Sequence, residues 1–194
     1  MKRKVIMIDY DETLAHSLYA DNEKHADQLI DMYGEHWRGE KFMIPPSAWD
    51  MTNNGGWYVT FKRSWTKDLL TFTRQLVGNN NVYILTSSTK DYILYCNNVL
   101  ELGFDPNTHI FSREDMYAID KYPDFLDTYN ILVDNLTYKE HCSGIVSKVA
   151  FLNGLPEKQY VQVLPFDVWN EKIGYQTEYF EDLKDRILTA LDIN

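Results

Sequence analysis

Two aspartates one residue apart, Asp9 and Asp11, stand with Thr13 at the end of the apolar run Val5-Ile6-Met7-Ile8. A continuous apolar run reads as a strand buried on both faces, as in parallel sheets covered by helices. Ligands of such sheets sit beyond the carboxyl ends of the strands, where Asp9 falls. Two acids on a turn there can divide labour: one attacks or holds a cation, and the other handles a proton. Thr13 can brace the turn through its hydroxyl. The plain alternative is that both acids only end a strand, since Asp is common in turns and at helix caps.

Three further positions favour chemistry. Val82-Tyr83-Ile84-Leu85 is a second buried run, ending in the hydroxyl cluster Thr86-Ser87-Ser88 ahead of a helix whose amides favour an anion. Tyr129 to Val133 is a third, ending on Asp134 and Asn135. Between them lies Lys121, a point charge suited to clamping phosphate and to offsetting crowded carboxylates, with Lys90, Lys139 and Lys148 as competitors for that role.

In this order the residues resemble the four motifs of the haloacid dehalogenase superfamily of phosphohydrolases: Asp9/Asp11/Thr13, then Thr86, then Lys121, then Asp134/Asn135. The run Asp-Tyr-Asp-Glu-Thr-Leu-Ala-His-Ser is most similar to the small C-terminal-domain phosphatase branch, as are Val59-Thr60-Phe61-Lys62-Arg63 and Thr86-Ser87-Ser88. The resemblance implies that Asp9 is a nucleophile forming an aspartyl-phosphate. Asp11 would protonate the leaving group and then activate water, while Thr13, Thr86, Ser87 and Lys121 would bind substrate. Phosphate esters repel a nucleophile, so a divalent cation must neutralise their charge. Asp9, the main-chain carbonyl of Asp11, and Asp134 or Asn135 are all oxygen donors, which suits Mg²⁺ rather than Zn²⁺.

The chain departs from that branch between Ser17 and Gly56, where a helical pattern replaces mainly short extended structure. A small, largely helical cap inserted over residues 17–57 of a single domain is therefore expected. Such a cap restricts access, which favours a nucleotide or small phosphorylated metabolite over a phosphoprotein. A phosphotransferase using the same intermediate and a non-catalytic phosphate-binding protein are the other function classes. Trp37, Phe42, Trp49, Trp57 and Tyr58 gather aromatic mass around the cap, which packs a core first and stacks on a flat substrate second. His16 and the pair Lys62-Arg63 read as surface or capping residues.

A formal net charge of −10 over 194 residues argues against nonspecific binding to nucleic acid or an anionic membrane. The two cysteines, Cys96 and Cys142, make no metal-like pair or disulfide framework, and Cys96 reads as a small core residue. Lys2 to Lys4 precede no apolar signal core and no segment is long enough to span a bilayer, so cytoplasmic residence is expected.

The elements that must position these residues alternate. Ala26, Leu29, Ile30, Tyr33 and Trp37 recur at helical spacing, and residues 38–56 read as loop or cap rather than sheet, with Trp57 to Phe61 a short extended piece. Ser64 caps a predicted helix through Val77, and another runs from Thr89 to Leu102, stopped by Gly103. His109 to Phe111 is a short strand, Ser147 to Leu152 a fourth parallel strand, and Tyr160 to Leu164 an edge strand. A closing helix places Phe180, Leu183, Ile187 and Leu191 on one face. This alternation predicts a three-layer α/β sandwich around a mostly parallel, Rossmann-like sheet, with the motifs along one edge.

Overall fold

The computed structural model describes residues 2–34, 41–44, 57–116, 127–142, 155–166 and 177–193. Strand β1 (Lys4–Ile8) lies at the centre of a five-stranded sheet, between β5 (Val82–Leu85) and β7 (Tyr129–Asp134), with β6 (Ile110–Phe111) and β8 (Tyr160–Gln162) at the edges. Every pairing in this sheet is parallel. Val5, Ile6, Met7 and Ile8 are all fully buried: Val5 and Met7 pack into one cluster, Ile6 and Ile8 into another. The unbroken apolar run therefore feeds two cores, and each such side chain contributes about 1.5–3 kcal/mol by leaving water.

Helices α2 (Thr66–Val77), α3 (Lys90–Val99) and α6 (Thr177–Ala190) supply one of those cores through Leu69, Ile93, Cys96, Leu183 and Ile187. Chain order runs outward from β1 through β5 to β6, then crosses to β7 and β8 on the other side. This reversal leaves a crevice at the carboxyl end of β1, the usual ligand position in open α/β sheets. Ile8 is in register with Ile84 and with Val133, so the residues that follow these three strands emerge together.

A second sheet has the order β2-β4-β3 and is antiparallel, formed by β2 (Ala15–Ala20), β4 (Trp57–Lys62) and β3 (Lys41–Ile44). Helix α1 (Glu23–Gly34) covers it, burying Ala26 and Leu29 against Ala20, Val59 and Phe61. The reading of residues 38–56 as loop rather than sheet is corrected here for Lys41–Ile44. Ser17 to Ala20, assigned to a largely helical insertion, are likewise strand. The pairing Ser17 to Thr60 joins residues far apart in the chain, which local periodicity does not register. Trp37 and Trp49, and the strand expected over Ser147 to Leu152, lie outside the described residues.

Two helix ends are tied by side chains. The cap position of α2 is Trp65 rather than Ser64, without a side-chain cap bond, and Thr66 Oγ1 instead donates to the Leu14 carbonyl. Beyond α3, Lys62 Nζ donates to Leu100 O, and Arg74 Nη2 to Leu102 O and Gly103 O, cations placed where the helix dipole favours them. Gly103 ends this segment at a φ of +71°, the left-handed conformation glycine adopts without strain.

Candidate active site

The turn after β1 is built from main-chain bonds. Leu14 N–H donates to Tyr10 O at 2.9 Å and Glu12 N–H to Ala15 O at 2.7 Å, while Glu12 holds a φ of +59°. A non-glycine residue there carries strain of about 1–2 kcal/mol and persists only where its surroundings enforce it. Three successive carbonyls supply that enforcement. Glu12 O accepts from Phe166 N–H at 2.5 Å, and Thr13 O from Arg63 Nη1 at 3.3 Å. Leu14 O accepts from Arg63 N–H at 2.9 Å and Thr66 Oγ1 at 2.7 Å. Tyr10 points into the core edge-on to Tyr92, leaving Asp9 and Asp11 to diverge.

Asp9 is 3% exposed, and its N–H donates to Val133 O at 2.9 Å. The Thr13 hydroxyl lies 3.1 Å from Asp9 Oδ2 and 3.3 Å from Asn135 Oδ1, so its single proton is shared between the first and last motifs. Asn135 Nδ2 donates to Glu12 Oε2 at 3.0 Å. Asp134 is fully buried, with Oδ1 accepting the Leu136 N–H at 3.0 Å. The structure thus brings together Asp9, Thr13 and Asn135, with Asp134 directly behind.

Asp11 faces the other way. Its Oδ2 accepts from Ser88 Oγ at 2.5 Å and Thr86 Oγ1 at 3.3 Å, while Thr86 Oγ1 accepts the Ser88 N–H at 3.1 Å. Ser88 is thus the second hydroxyl on Asp11. Ser87 contributes its carbonyl, which accepts from Arg113 Nε at 2.7 Å. Lys121 lies outside the described residues. Lys90, its main competitor, is turned elsewhere: Nζ donates to Ile110 O at 3.0 Å and pairs with Asp115 Oδ2 at 2.9 Å. Lys139 is exposed on α5 (Tyr138–Cys142), and Lys148 is outside the described residues.

Asp11 opens into a cavity of about 410 Å³ lined also by Ser17, Tyr58, Ser88, Thr89, Tyr92 and Arg113. Ser17 Oγ is 2.7 Å from Tyr92 Oη and 2.8 Å from Thr60 Oγ1, which ties the small sheet to α3 through hydroxyls. Burial drives the Tyr10 and Tyr92 hydroxyls well above the usual tyrosine range and pushes the Cys96 thiol up to about 12. Cys96 is fully buried and stays protonated at neutral pH, an inert core residue as expected. Another hollow, about 330 Å³, is lined by Arg74, Asn79, Asn80, Gly103, Phe104, Asp105 and His109 and contains no motif residue.

Arg113 and Tyr92 escaped the sequence reading. Arg113 follows edge strand β6, so the strand-end rule that picked Asp9, Thr86 and Asp134 points to it once β6 is treated as part of the sheet. Arg63 is a larger departure, since it is 1% exposed rather than a solvated surface charge. Its guanidinium lies 4.1 Å over the Trp65 ring and donates to Leu164 O at 2.8 Å as well as to Thr13 O, and burial lowers its pKa to about 10. Among the described residues no carboxylate pairs with it, and Nε and Nη2 have no hydrogen-bond partner. His16 lies on β2 against the Phe166 ring, not in the cavity wall.

Neither a protein-family model nor a curated protein sequence matches the chain. Among solved structures it is similar to Fcp1, described as an essential RNA polymerase II CTD phosphatase, at 15% identity and a TM-score of 0.54, covering 97% of this chain and 48% of that one. A single-residue variant of fission yeast Fcp1 bound to beryllium fluoride matches at 16% identity and a TM-score of 0.53, over 97% of this chain and 50% of that one. The chain spans about half the length of the solved structures it matches. At these identities the likeness is one of fold, and it is the α/β fold expected from the motif resemblance.

Proposed function

We propose that the chain is a Mg²⁺-dependent phosphomonoester hydrolase that works through an aspartyl-phosphate on Asp9. The observation that carries this reading is the division of the two acids. Asp9 is held with Thr13 and Asn135 at the sheet edge, whereas Asp11 is held by Thr86 and Ser88 at a cavity. The first position suits a nucleophile, and the second suits a group that exchanges a proton with a leaving oxygen.

In this mechanism an Asp9 carboxylate oxygen bonds to phosphorus as the ester P–O bond breaks. Asp11 gives its proton to the departing alkoxide, then takes one from water as that water attacks the same phosphorus, and phosphate leaves with Asp9 restored. Thr86 and Lys121 hold the phosphoryl oxygens, and the Arg113 guanidinium adds positive charge at the cavity wall. Among the described residues no three His, Cys, Asp or Glu side chains converge as a ready cage. Asp9, the Asp11 carbonyl, and Asp134 or Asn135 would therefore hold the cation together with water and substrate, the partly hydrated, all-oxygen arrangement that Mg²⁺ prefers. When bound, it neutralises phosphoryl charge.

The substrate favoured is a nucleotide or another small phosphorylated metabolite with a flat group, because Tyr58 and Tyr92 line the cavity beside Asp11. Tyr58 and Ser17 come from β4 and β2, so these two strands border the cavity, which supports reading residues 17–57 as a cap insertion. A phosphoprotein substrate is the second reading, supported by the likeness to a phosphatase of the RNA polymerase II CTD. The test is phosphate release from an aryl phosphate, nucleotides, sugar phosphates and phosphopeptides, with Mg²⁺ or with EDTA. Metal-dependent release supports the reading, and the best substrate separates the two classes. A folded protein that releases nothing with Mg²⁺ present contradicts it.

A further inference from the structure

Lys90 opens α3 directly after the hydroxyl loop, yet its ammonium is turned from the cavity toward the β6–α4 joint, where α4 is the short helix Arg113–Met116. Asp115 Oδ2 takes the Lys90 Nζ at 2.9 Å and also accepts from Ser112 N–H at 3.0 Å and Ser112 Oγ at 2.9 Å. The Lys90 N–H donates to Glu114 Oε2 at 3.0 Å. Between these ties stands Arg113, whose N–H reaches Ser88 O at 3.0 Å and whose Nε reaches Ser87 O at 2.7 Å. The Lys90 and Asp115 side chains are 30% and 19% exposed, so their attraction is screened less than that of a surface pair.

We infer that the Lys90–Asp115 pair is a positioning device for substrate binding: it clamps the β6–α4 joint onto the hydroxyl loop and so fixes Arg113 at the wall of the cavity that Asp11 lines. The inference rests on the proposed phosphatase site and adds to it residues that touch no substrate. Burial opposes the charge on Asp115, but the bonds from Ser112 and Lys90 prevail and hold its carboxyl below the usual range. Nη1 and Nη2 of Arg113 are used by none of these ties, which leaves a fork of donors for an anionic group.

The test compares wild type with Lys90→Met, Asp115→Asn and the double variant, reading kcat, KM, melting temperature and competitive inhibition by inorganic phosphate. Each single variant is expected to raise KM and the inhibition constant for phosphate about tenfold, the loss typical of one charge-assisted bond, with kcat within about twofold. The double variant should add little to either single one, because both break the same clamp. In an Arg113→Ala background, Lys90→Met should change KM no further. A lower melting temperature with unchanged KM and unchanged phosphate inhibition would overturn the inference while leaving the phosphatase reading intact. A wild type that turns over no substrate would sink that reading instead, and phosphate affinity measured by calorimetry on the same variants would still decide the clamp: equal affinities would reject it.

Discussion

The acid turn and the hydroxyl loop sit side by side but are built differently. The turn over residues 9–15 is held through its own main chain: Phe166, Arg63 and Thr66 occupy the carbonyls of Glu12, Thr13 and Leu14 from inside the fold. The loop over residues 86–90 is held largely by side chains and an ion pair at a half-exposed joint. The turn is a fixed frame for bond making, and the loop is a rim whose ties can be changed one at a time. Damage to the first should therefore appear in kcat and damage to the second in KM.

The largest expected effect is at Asp9, the proposed nucleophile of the turn. Asp9→Asn keeps the shape and the Thr13 contact but removes the carboxylate proposed to attack phosphorus, so kcat should fall about 10⁴-fold or more, with an unchanged circular dichroism spectrum. Asp11→Asn should cost about 10²- to 10⁴-fold in kcat, for an aryl phosphate as well, because hydrolysis of the intermediate still lacks its base. Arg63→Met tests the frame itself, since it strips a donor from Thr13 O and Leu164 O while keeping apolar bulk over Trp65. Leaving the buried Thr13 carbonyl without this donor should lower stability by about 1–3 kcal/mol, read from the urea midpoint, with kcat reduced more than KM is raised. At the rim, Tyr58→Leu should raise KM for a nucleotide about fivefold or more while sparing a small alkyl phosphate, since stacking on one ring contributes about 1–3 kcal/mol. Equal losses for both substrates would remove Tyr58 from recognition.

The same contrast explains what the sequence made legible. β1, β5 and β7 announce themselves because a strand buried on both faces must be apolar throughout, and the polar residue that ends each run is conspicuous. Asp9, Asp11, Thr86 and Asp134 are legible for that reason. The small sheet was hidden because β2 pairs with β4 across α1 and β3, and the mixed run Ala-His-Ser-Leu-Tyr-Ala carries no clean alternation. The contact of Ser88 with Asp11 is not legible within the cluster Thr86-Ser87-Ser88, because the direction of a side chain in a loop depends on backbone angles that spacing does not fix. Arg63 was misjudged for a related reason: a buried guanidinium is rare, and only tertiary contacts, here two carbonyls and the Trp65 ring, make one tolerable.

The central claim is that Asp9 carries the phosphoryl group, and the most direct measurement is the intact mass of enzyme acid-quenched during turnover of an aryl phosphate with Mg²⁺. The account predicts a gain of one phosphoryl group on the peptide containing Asp9, absent from Asp9→Asn and enriched in Asp11→Asn, where the intermediate forms but water is not activated. Turnover by Asp9→Asn at the wild-type rate, or a phosphoryl group found on any other residue, would contradict it.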